Sequence, residues 1–170
     1  MYRPIVVTGF FFVLSACSST PPASVSSTPI STVIFAAPKE MTKQDARNIE
    51  KLNQELAARS IYFPYDEFLI DLKYQSTIKQ NAELVKSVPG IALILEGNAD
   101  ERGGGEYNLA LGQKRADMVR KALGTQGVPE SKTEAISLGK EKPKALCHEE
   151  SCWSQNRRVD FVVKAVDSKQ

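Results

Sequence analysis

The sequence is short of the side chains on which most enzymes rely. Among its 170 residues there are one histidine, three cysteines and one tryptophan. No serine or cysteine motif surrounds His148, and the histidines, cysteines and acidic residues do not cluster at the spacing that metal ligands need. These shortages argue against nucleophilic catalysis and against a metal site.

An excess of either charge is also missing. The chain has 22 basic and 20 acidic residues, which gives a net charge of +2. Proteins that bind nucleic acids usually carry a strongly basic face. The near balance of charge therefore argues against a nucleic-acid partner.

The apolar run near the start of the chain, at residues 5–14, is too short to span a bilayer. Arg3 precedes it and the letters LSAC follow at 14–17, a pattern typical of a lipoprotein signal peptide. We expect residues 1–16 to be removed and Cys17 to carry diacylglycerol and an N-acyl chain, which would hold the protein on a membrane. An ordinary signal peptide with an incidental cysteine is the alternative. Ser18 resembles the signal for delivery to the outer membrane.

Residues 17–41 are rich in serine, threonine, proline and alanine. Such a composition cannot bury enough apolar surface to offset the entropy of ordering. It predicts a lipidated flexible tether, or a plain unstructured N-terminus without a spacing role. Residues 42–58 predict a helix that precedes the main domain, because Thr42 can cap it and Asp45 follows three residues later. This helix would either lie on the domain or be solvated.

The most informative stretch combines an apolar strand, a polar loop and a helix. Residues 91–95 predict a buried strand that stops at Gly97, and a loop with three successive glycines follows. Beyond the loop, apolar and small residues return at helical spacing. They are Leu109, Gly112, Ala116, Val119 and Leu123.

Polar residues of the same helix form a second face beside this apolar stripe. At about 100° per residue, Asn108, Leu111 and Arg115 share one side, which looks back over the loop that carries Asp100 and Arg102. A carboxylate and a guanidinium held on rigid elements suit a zwitterion, since one binds an ammonium and the other a carboxylate. The alternative is that Asp100 and Arg115 simply pair as a structural salt bridge.

The motif itself is similar to that of a known family. The letters GNADERG at 97–103 and EYNLALGQKRA at 106–116, with GKEKP at 139–143 and QNRRV at 155–159, resemble the OmpA-like peptidoglycan-binding domain. The likeness covers roughly residues 59–166, and residues 167–170 remain as a tail. It implies binding of the diaminopimelate side chain of the cell-wall peptide. The residues assigned to this binding are Asp100 and Arg115 above all, with Asp66, Asn108, Leu111, Arg102, Phe63, Asn156 and Arg157.

The remaining segments predict an α+β fold. Pro64 cannot donate to a sheet ladder, so the strand at residues 61–66 should have a bulge, an edge or its end there. Asp66 is either part of the wall-peptide pocket, as the resemblance implies, or the N-cap of the helix predicted at 69–88. With strands at 133–138 and 159–163, the order β-α-β-α-β-β indicates two main helices on one side of a small mixed four-stranded sheet.

The loop before the last strand holds Cys147 and Cys152. In the oxidising compartment that a signal peptide implies, the two cysteines should bond to each other. Trp153 next to them is expected to serve packing. The resemblance places Asn156 and Arg157 at the pocket rim, where Arg157 would offer a second carboxylate contact or would simply be solvated.

These patterns favour a binding protein over an enzyme. Asp66 and Asp100 could form the carboxylate pair of a glycosidase, but an arginine facing Asp100 would lower its pKa, which does not suit a general acid. The resemblance implies an outer-membrane lipoprotein of a Tol–Pal envelope system, with the periplasmic protein TolB and other Tol components as partners. An anchor of a secretion or conjugation apparatus and a wall hydrolase are the alternatives. Nothing in the sequence demands more than a monomer.

Overall fold

The computed structural model describes residues 42–166. The predicted signal peptide (1–16), the lipidated Cys17, the tether (17–41) and the tail (167–170) lie outside these residues. The helices are α1 (Lys43–Ala57), α2 (Gln75–Ser87), α3 (Gly105–Thr125) and α4 (Glu150–Asn156). The strands are β1 (Ile61–Tyr62), β2 (Ile91–Asn98), β3 (Thr133–Gly139) and β4 (Arg158–Ala165).

The strands form one mixed sheet in the order β1–β4–β2–β3. β4 is antiparallel to both of its neighbours, whereas β2 and β3 run parallel and are connected through α3. The predicted α+β class with a small mixed four-stranded sheet is confirmed. The structure adds a short fourth helix, α4, between β3 and β4, where only a loop was predicted.

Helices α2 and α3 contact each other and the sheet, and the apolar core lies between them. The core side chains of α2 recur at helical spacing and those of β2 alternate along the strand, as an amphipathic helix on a half-buried sheet requires. The fully buried apolar residues include Leu56, Ile61, Ala82, Val85, Leu93, Leu95, Ala116, Val119, Leu123 and Val159.

Helix α1 lies on the domain, which was one of the two alternatives for it, and covers a sheet edge. It begins with the predicted capping box of Thr42 and Asp45. The side chain of Asn53 accepts a hydrogen bond from the backbone N–H of Val163 (2.7 Å) and donates one to its carbonyl (3.5 Å). β1 pairs only with the first residues of β4, so Asn53 satisfies backbone groups further along that would otherwise form an open edge. Leu56 at the end of α1 is fully buried in the core.

Strand β2 continues beyond the point at which it was predicted to stop. Gly97 stays in the ladder because it pairs with β3 on one side and β4 on the other, and the strand ends at Asn98. A Cβ atom on Gly97 would lie 1.9 Å from the carbonyl oxygen of Gly112, and one on Gly112 would lie 2.3 Å from Oγ of Ser137. The glycines therefore let α3 approach the sheet closely.

Two further predictions about helices are wrong. The helix expected at 69–88 begins later, with a 3-10 turn at Leu72–Tyr74 capped by the side chain of Asp71, so Asp66 is not its N-cap. Asp66 instead lies in the turn after β1 with a left-handed backbone (φ 59°). Leu109 was assigned to the core stripe of α3 but is 41% exposed, because it lies beside Gly139 at the end of β3 and not over the core.

Candidate binding site

Most of the residues that the sequence predicted for the binding site line one small cleft. It lies between the turn after β1, the loop after β2, the first half of α3 and the residue before β4, and about 40 Å³ of it is open, room for a few water molecules. The lining residues are Tyr65, Asp66, Ala99, Asp100, Arg102, Gly103, Tyr107, Asn108, Leu111, Arg115 and Arg157.

Asp100 supplies a buried negative charge at the base of this cleft. Its side chain is 4% exposed. Oδ1 accepts from the backbone N–H (3.1 Å) and Nε (3.2 Å) of Arg102, and Oδ2 accepts from Nη2 of Arg102 (2.6 Å) and Nη1 of Arg157 (3.2 Å). Burial alone would raise the pKa of Asp100, but the hydrogen bonds from the two arginines outweigh it and lower the pKa. The carboxylate is therefore ionised at neutral pH.

Arg115 supplies a positive charge with an unusual set of partners. Its side chain is fully buried, and its guanidinium donates to three backbone carbonyls, those of Glu67 (2.8 Å), Asn98 (3.0 Å) and Pro64 (3.2 Å). Within residues 42–166 no carboxylate lies within 4.0 Å of it, so its charge has no direct counter-ion there. Burial, and to a lesser extent the charge of Arg157, lowers the pKa of Arg115 to about 10, which still leaves it protonated at neutral pH.

The structural salt bridge between Asp100 and Arg115 that the sequence left open as an alternative does not form. Both side chains line the same cleft. However, Asp100 pairs with Arg102 and Arg157, whereas Arg115 pairs with carbonyl groups. The two opposite charges thus face one cleft while each is held by separate partners.

Arg102 fills much of the cleft mouth. Its guanidinium lies between two aromatic rings, 4.0 Å from the centroid of Tyr65 and 4.2 Å from that of Trp153. Its Nη2 lies 2.6 Å from Asp100 and also 3.7 Å from Oε2 of Glu150. The sequence analysis expected Trp153 to serve packing alone. Its ring in fact forms one wall around Arg102.

Arg157 is buried and not solvated, which corrects one of the two alternatives for it. It is 4% exposed, and its Nε donates to the carbonyl of Phe63 at 3.0 Å. Its terminal nitrogens bind Asp100 and form a close ion pair with Glu150. The hydrogen bonds from Arg157 are the main cause of a lowered pKa at Glu150.

Other predicted residues act on the cleft from its walls. Nδ2 of Asn108 donates to the carbonyls of Arg102 (2.8 Å) and Asp100 (3.3 Å) and so holds the glycine-rich loop. Leu111 is nearly buried and gives the cleft an apolar side. Asp66 is exposed at the rim, where it accepts a hydrogen bond from the hydroxyl of Tyr107.

Two predicted residues lie outside the cleft lining. Asn156 is buried and accepts hydrogen bonds from the backbone N–H of Lys144 (2.7 Å) and Ala145 (2.9 Å), so it fixes the loop before α4. Phe63 is 3% exposed and packs under Arg115, with its ring centroid 5.3 Å from the guanidinium carbon. Neither residue lines the cleft. Asn156 holds a loop in place, and Phe63 packs against a residue that does line it.

The sequence analysis did not assign four residues to the surroundings of the cleft. They are Tyr65, Tyr107, Glu150 and Trp153, the last of which had been expected only to pack. Glu150 and Trp153 belong to α4, which is connected to the preceding loop by a disulfide between Cys147 and Cys152 (Cα–Cα 5.5 Å). No local pattern signals their approach to a loop some 50 positions earlier. The one available signal was the aromatic Tyr107 inside the motif itself.

Within the part of the chain that the structure describes, no group of three or more histidine, cysteine or acidic side chains could hold a metal ion. Among residues 42–166 no helix has the length and apolar character needed to cross a membrane. The arrangement can offer a ligand a carboxylate, buried guanidiniums and aromatic faces. These are the elements of a binding site for a small charged group.

Comparison with known proteins identifies the class first. The model of the OmpA family matches residues 62–157, more than half of the chain, and the chain therefore belongs to the OmpA family. Solved structures share its fold. The C-terminal domain of MotB from Helicobacter pylori aligns with 62% of this chain and 84% of that domain at a TM-score of 0.58, and with 20% identity it shows a common fold alone.

The more similar relatives carry one name. The chain is 50% identical over 103 residues to the peptidoglycan-associated lipoprotein of Agrobacterium fabrum and 41% identical over 103 residues to that of Legionella pneumophila. Each alignment covers 61% of this chain, which spans 58% of the length of either relative. The crystal structure of the peptidoglycan-associated lipoprotein from Burkholderia pseudomallei aligns at 52% identity and a TM-score of 0.61, covering 62% of this chain and 90% of that one.

Proposed function

We propose that the domain binds peptidoglycan without a covalent bond, by holding the diaminopimelate residue of the stem peptide in the cleft between Asp100 and Arg115. One observation carries the proposal. Arg115 is a fully buried cation that lines the cleft and has no carboxylate partner within residues 42–166. A buried charge without a counter-ion is costly, so a ligand carboxylate that enters the cleft would supply what the domain lacks.

The chemistry of diaminopimelate fits the two charges. The end of its side chain carries an ammonium and a carboxylate on the same carbon, so it presents both signs within a few ångströms. Hydrogen bonds within residues 42–166 use three of the five N–H donors of Arg115, which leaves two for a carboxylate. The ammonium then faces Asp100, and Leu111 contacts the methylene chain.

The electrostatics support binding and not catalysis. The pKa of Asp100 is lowered, because hydrogen bonds from the arginines outweigh its burial. An acid with such a pKa is a poor general acid at neutral pH. The relatives are named peptidoglycan-associated lipoproteins, and an association with peptidoglycan agrees with a binding role.

We also propose a wider setting for the domain. We infer that the protein is lipid-anchored through Cys17 to the periplasmic face of the outer membrane, and so connects that membrane to the cell wall. Its partners are then TolB and the other Tol components, within a Tol–Pal system that serves envelope integrity and cell division. An OmpA-like anchor of a secretion or conjugation apparatus is the second candidate, and a pull-down with TolB separates the two.

Co-sedimentation with purified sacculi tests the proposal. Asp100→Asn and Arg115→Met should each reduce the sedimented fraction at least tenfold, since each removes one of the two charges of the zwitterion site. Lys121→Met is the matched control, because Lys121 is an exposed cation on the same helix. Thermal melting checks that the variants fold, and free meso-diaminopimelate should compete with the sacculi. Folded variants that sediment like the unmodified protein would refute the site, and release of wall fragments would indicate a hydrolase.

A further inference from the structure

We propose that Arg102 is an internal competitor of the ligand, whose guanidinium occupies the position on Asp100 that the ligand's ammonium takes. Binding then requires the side chain of Arg102 to leave Asp100. The inference rests on the proposed function, because it describes how the same cleft is opened. It reverses the role that the sequence gave to Arg102, which was that of a direct contact to the wall peptide.

The hydrogen bonds of Asp100 leave no acceptor site for a ligand. An ionised carboxylate has about four lone-pair directions. Four hydrogen bonds occupy them in the structure, three from Arg102 and one from Arg157. An ammonium can therefore bind Asp100 only if one of these donors moves away.

Among the donors, the side chain of Arg102 is the one that can move. The side chain of Arg157 is only 5% exposed and is also held by Phe63 and Glu150. The backbone N–H of Arg102 belongs to the loop that Asn108 fixes. The side chain of Arg102 is 30% exposed and lies at the mouth of the cleft.

A second carboxylate is in place to receive the displaced guanidinium. Oε2 of Glu150 lies 3.7 Å from Nη2 of Arg102, on the solvent side, and its side chain is 62% exposed. A small rotation would exchange the pairing with Asp100 for a pairing with Glu150. The rings of Tyr65 and Trp153 flank the guanidinium and would confine this movement to the space between them.

The arrangement favours a zwitterion over a simple cation. Any ligand must displace Arg102 from Asp100, and this lowers the apparent affinity of every ligand by the same factor. A zwitterion recovers the loss through its carboxylate, which binds the unpaired Arg115. A side chain with an ammonium alone, such as lysine, has no such compensation. Arg102 thus makes binding without a carboxylate weak, whereas Arg115 supplies the difference in affinity between the zwitterion and the simple cation.

Removing the charge of Arg102 tests the inference. Arg102→Met keeps an unbranched stem between the two rings, and Lys121→Met on the surface of α3 is the control for the lost charge. Isothermal titration with a tripeptide that contains meso-diaminopimelate should give a dissociation constant about three- to tenfold lower for Arg102→Met, because a partly exposed ion pair and its stacking no longer oppose binding. Arg102→Lys should lie between this variant and the unmodified protein. Lys121→Met should leave the dissociation constant unchanged.

Glu150 gives an independent measurement. Glu150→Gln removes the receiving carboxylate and should weaken binding, whereas in the Arg102→Met background the same change should have a much smaller effect. Unchanged or weaker binding by folded Arg102→Met would overturn the inference and leave the proposed function standing. Failure of the unmodified protein to bind the tripeptide would overturn both.

Discussion

The backbones of Gly97 and Gly112 touch so closely that neither position has room for a Cβ atom. This contact sets the distance between β2 and α3. Asp100 follows the end of β2 and Arg115 lies one helical turn after Gly112, so the same contact determines how far apart the two charges of the cleft stand. A pair of glycines outside the cleft thereby controls its geometry.

Gly112→Ala should destabilise the domain strongly. The added methyl group would meet Oγ of Ser137 at 2.3 Å and the carbonyl oxygen of Gly97 at 2.7 Å. Overpacking of this kind costs about 1–3 kcal/mol, and backbone contacts yield less readily than side chains. We expect the free energy of unfolding, measured in urea, to fall by about 2–3 kcal/mol.

Gly124→Ala is the matched control on the same helix. A Cβ at Gly124 meets nothing within 4 Å, and alanine is the better helix former. The free energy of unfolding should therefore rise by a few tenths of a kcal/mol up to about 1 kcal/mol. Equal effects of the two substitutions would contradict the close approach of α3 to β2.

The disulfide should stabilise the domain moderately. It closes a loop with a sequence separation of 5 between Cys147 and Cys152. Loop-closure entropy for so short a loop corresponds to about 2 kcal/mol. We expect the double variant Cys147→Ser/Cys152→Ser to lose about that much free energy of unfolding in urea.

The fluorescence of Trp153, the one tryptophan of the chain, reports directly on this corner of the domain. A reductant should shift the unfolding midpoint of the unmodified protein toward that of the double serine variant and should leave the variant unchanged. If the reductant shifts both proteins equally, the effect does not come from this bond.

Asp100 should make the stability of the domain fall in acid. Its pKa is lower in the folded protein than in the unfolded chain, because hydrogen bonds from the arginines outweigh the effect of burial. The stabilisation is therefore complete above the unfolded pKa of about 3.9 and is lost as the pH falls through the folded value. Glu150, whose pKa is also lowered, contributes in the same direction.

Urea unfolding at several pH values measures this dependence. From about pH 5 downward the free energy of unfolding should decrease, and the decrease should be smaller in Asp100→Asn, which has no carboxylate to protonate. Glu130→Gln is a suitable control, since Glu130 is an exposed acid away from the cleft. An identical pH dependence in Asp100→Asn and the unmodified protein would show that Asp100 carries no such linkage.

Much of the fold could be predicted from local patterns, since the capping residues of α1, the apolar strand β2 and the face of α3 that carries Asn108 and Arg115 are visible in the sequence. Which charged side chains pair with each other could not be predicted in this way. Whether Asp100 meets Arg102, Arg115 or Arg157 depends on a few ångströms of packing, which spacing along the chain does not encode.

The contribution of α4 to the cleft was hidden for a similar reason. Glu150 and Trp153 reach Arg102 only through tertiary contacts, and a helix of seven residues leaves a weak periodic signal. One of the two alternatives for Asp66, the N-cap of the helix predicted at 69–88, was wrong because that helix begins later and Asp71 takes the capping position instead.

The most direct test of a cleft built for a zwitterion compares two peptides that differ by a single carboxylate. The dissociation constant of a stem tripeptide with meso-diaminopimelate at its third position is measured beside that of the same tripeptide with lysine there. Because only the first can bind Arg115 through a carboxylate, the lysine peptide should bind about 10- to 100-fold more weakly, as expected for loss of a charged hydrogen bond. Equal dissociation constants for the two peptides would contradict the assignment of Arg115 as the receptor of the ligand's carboxylate.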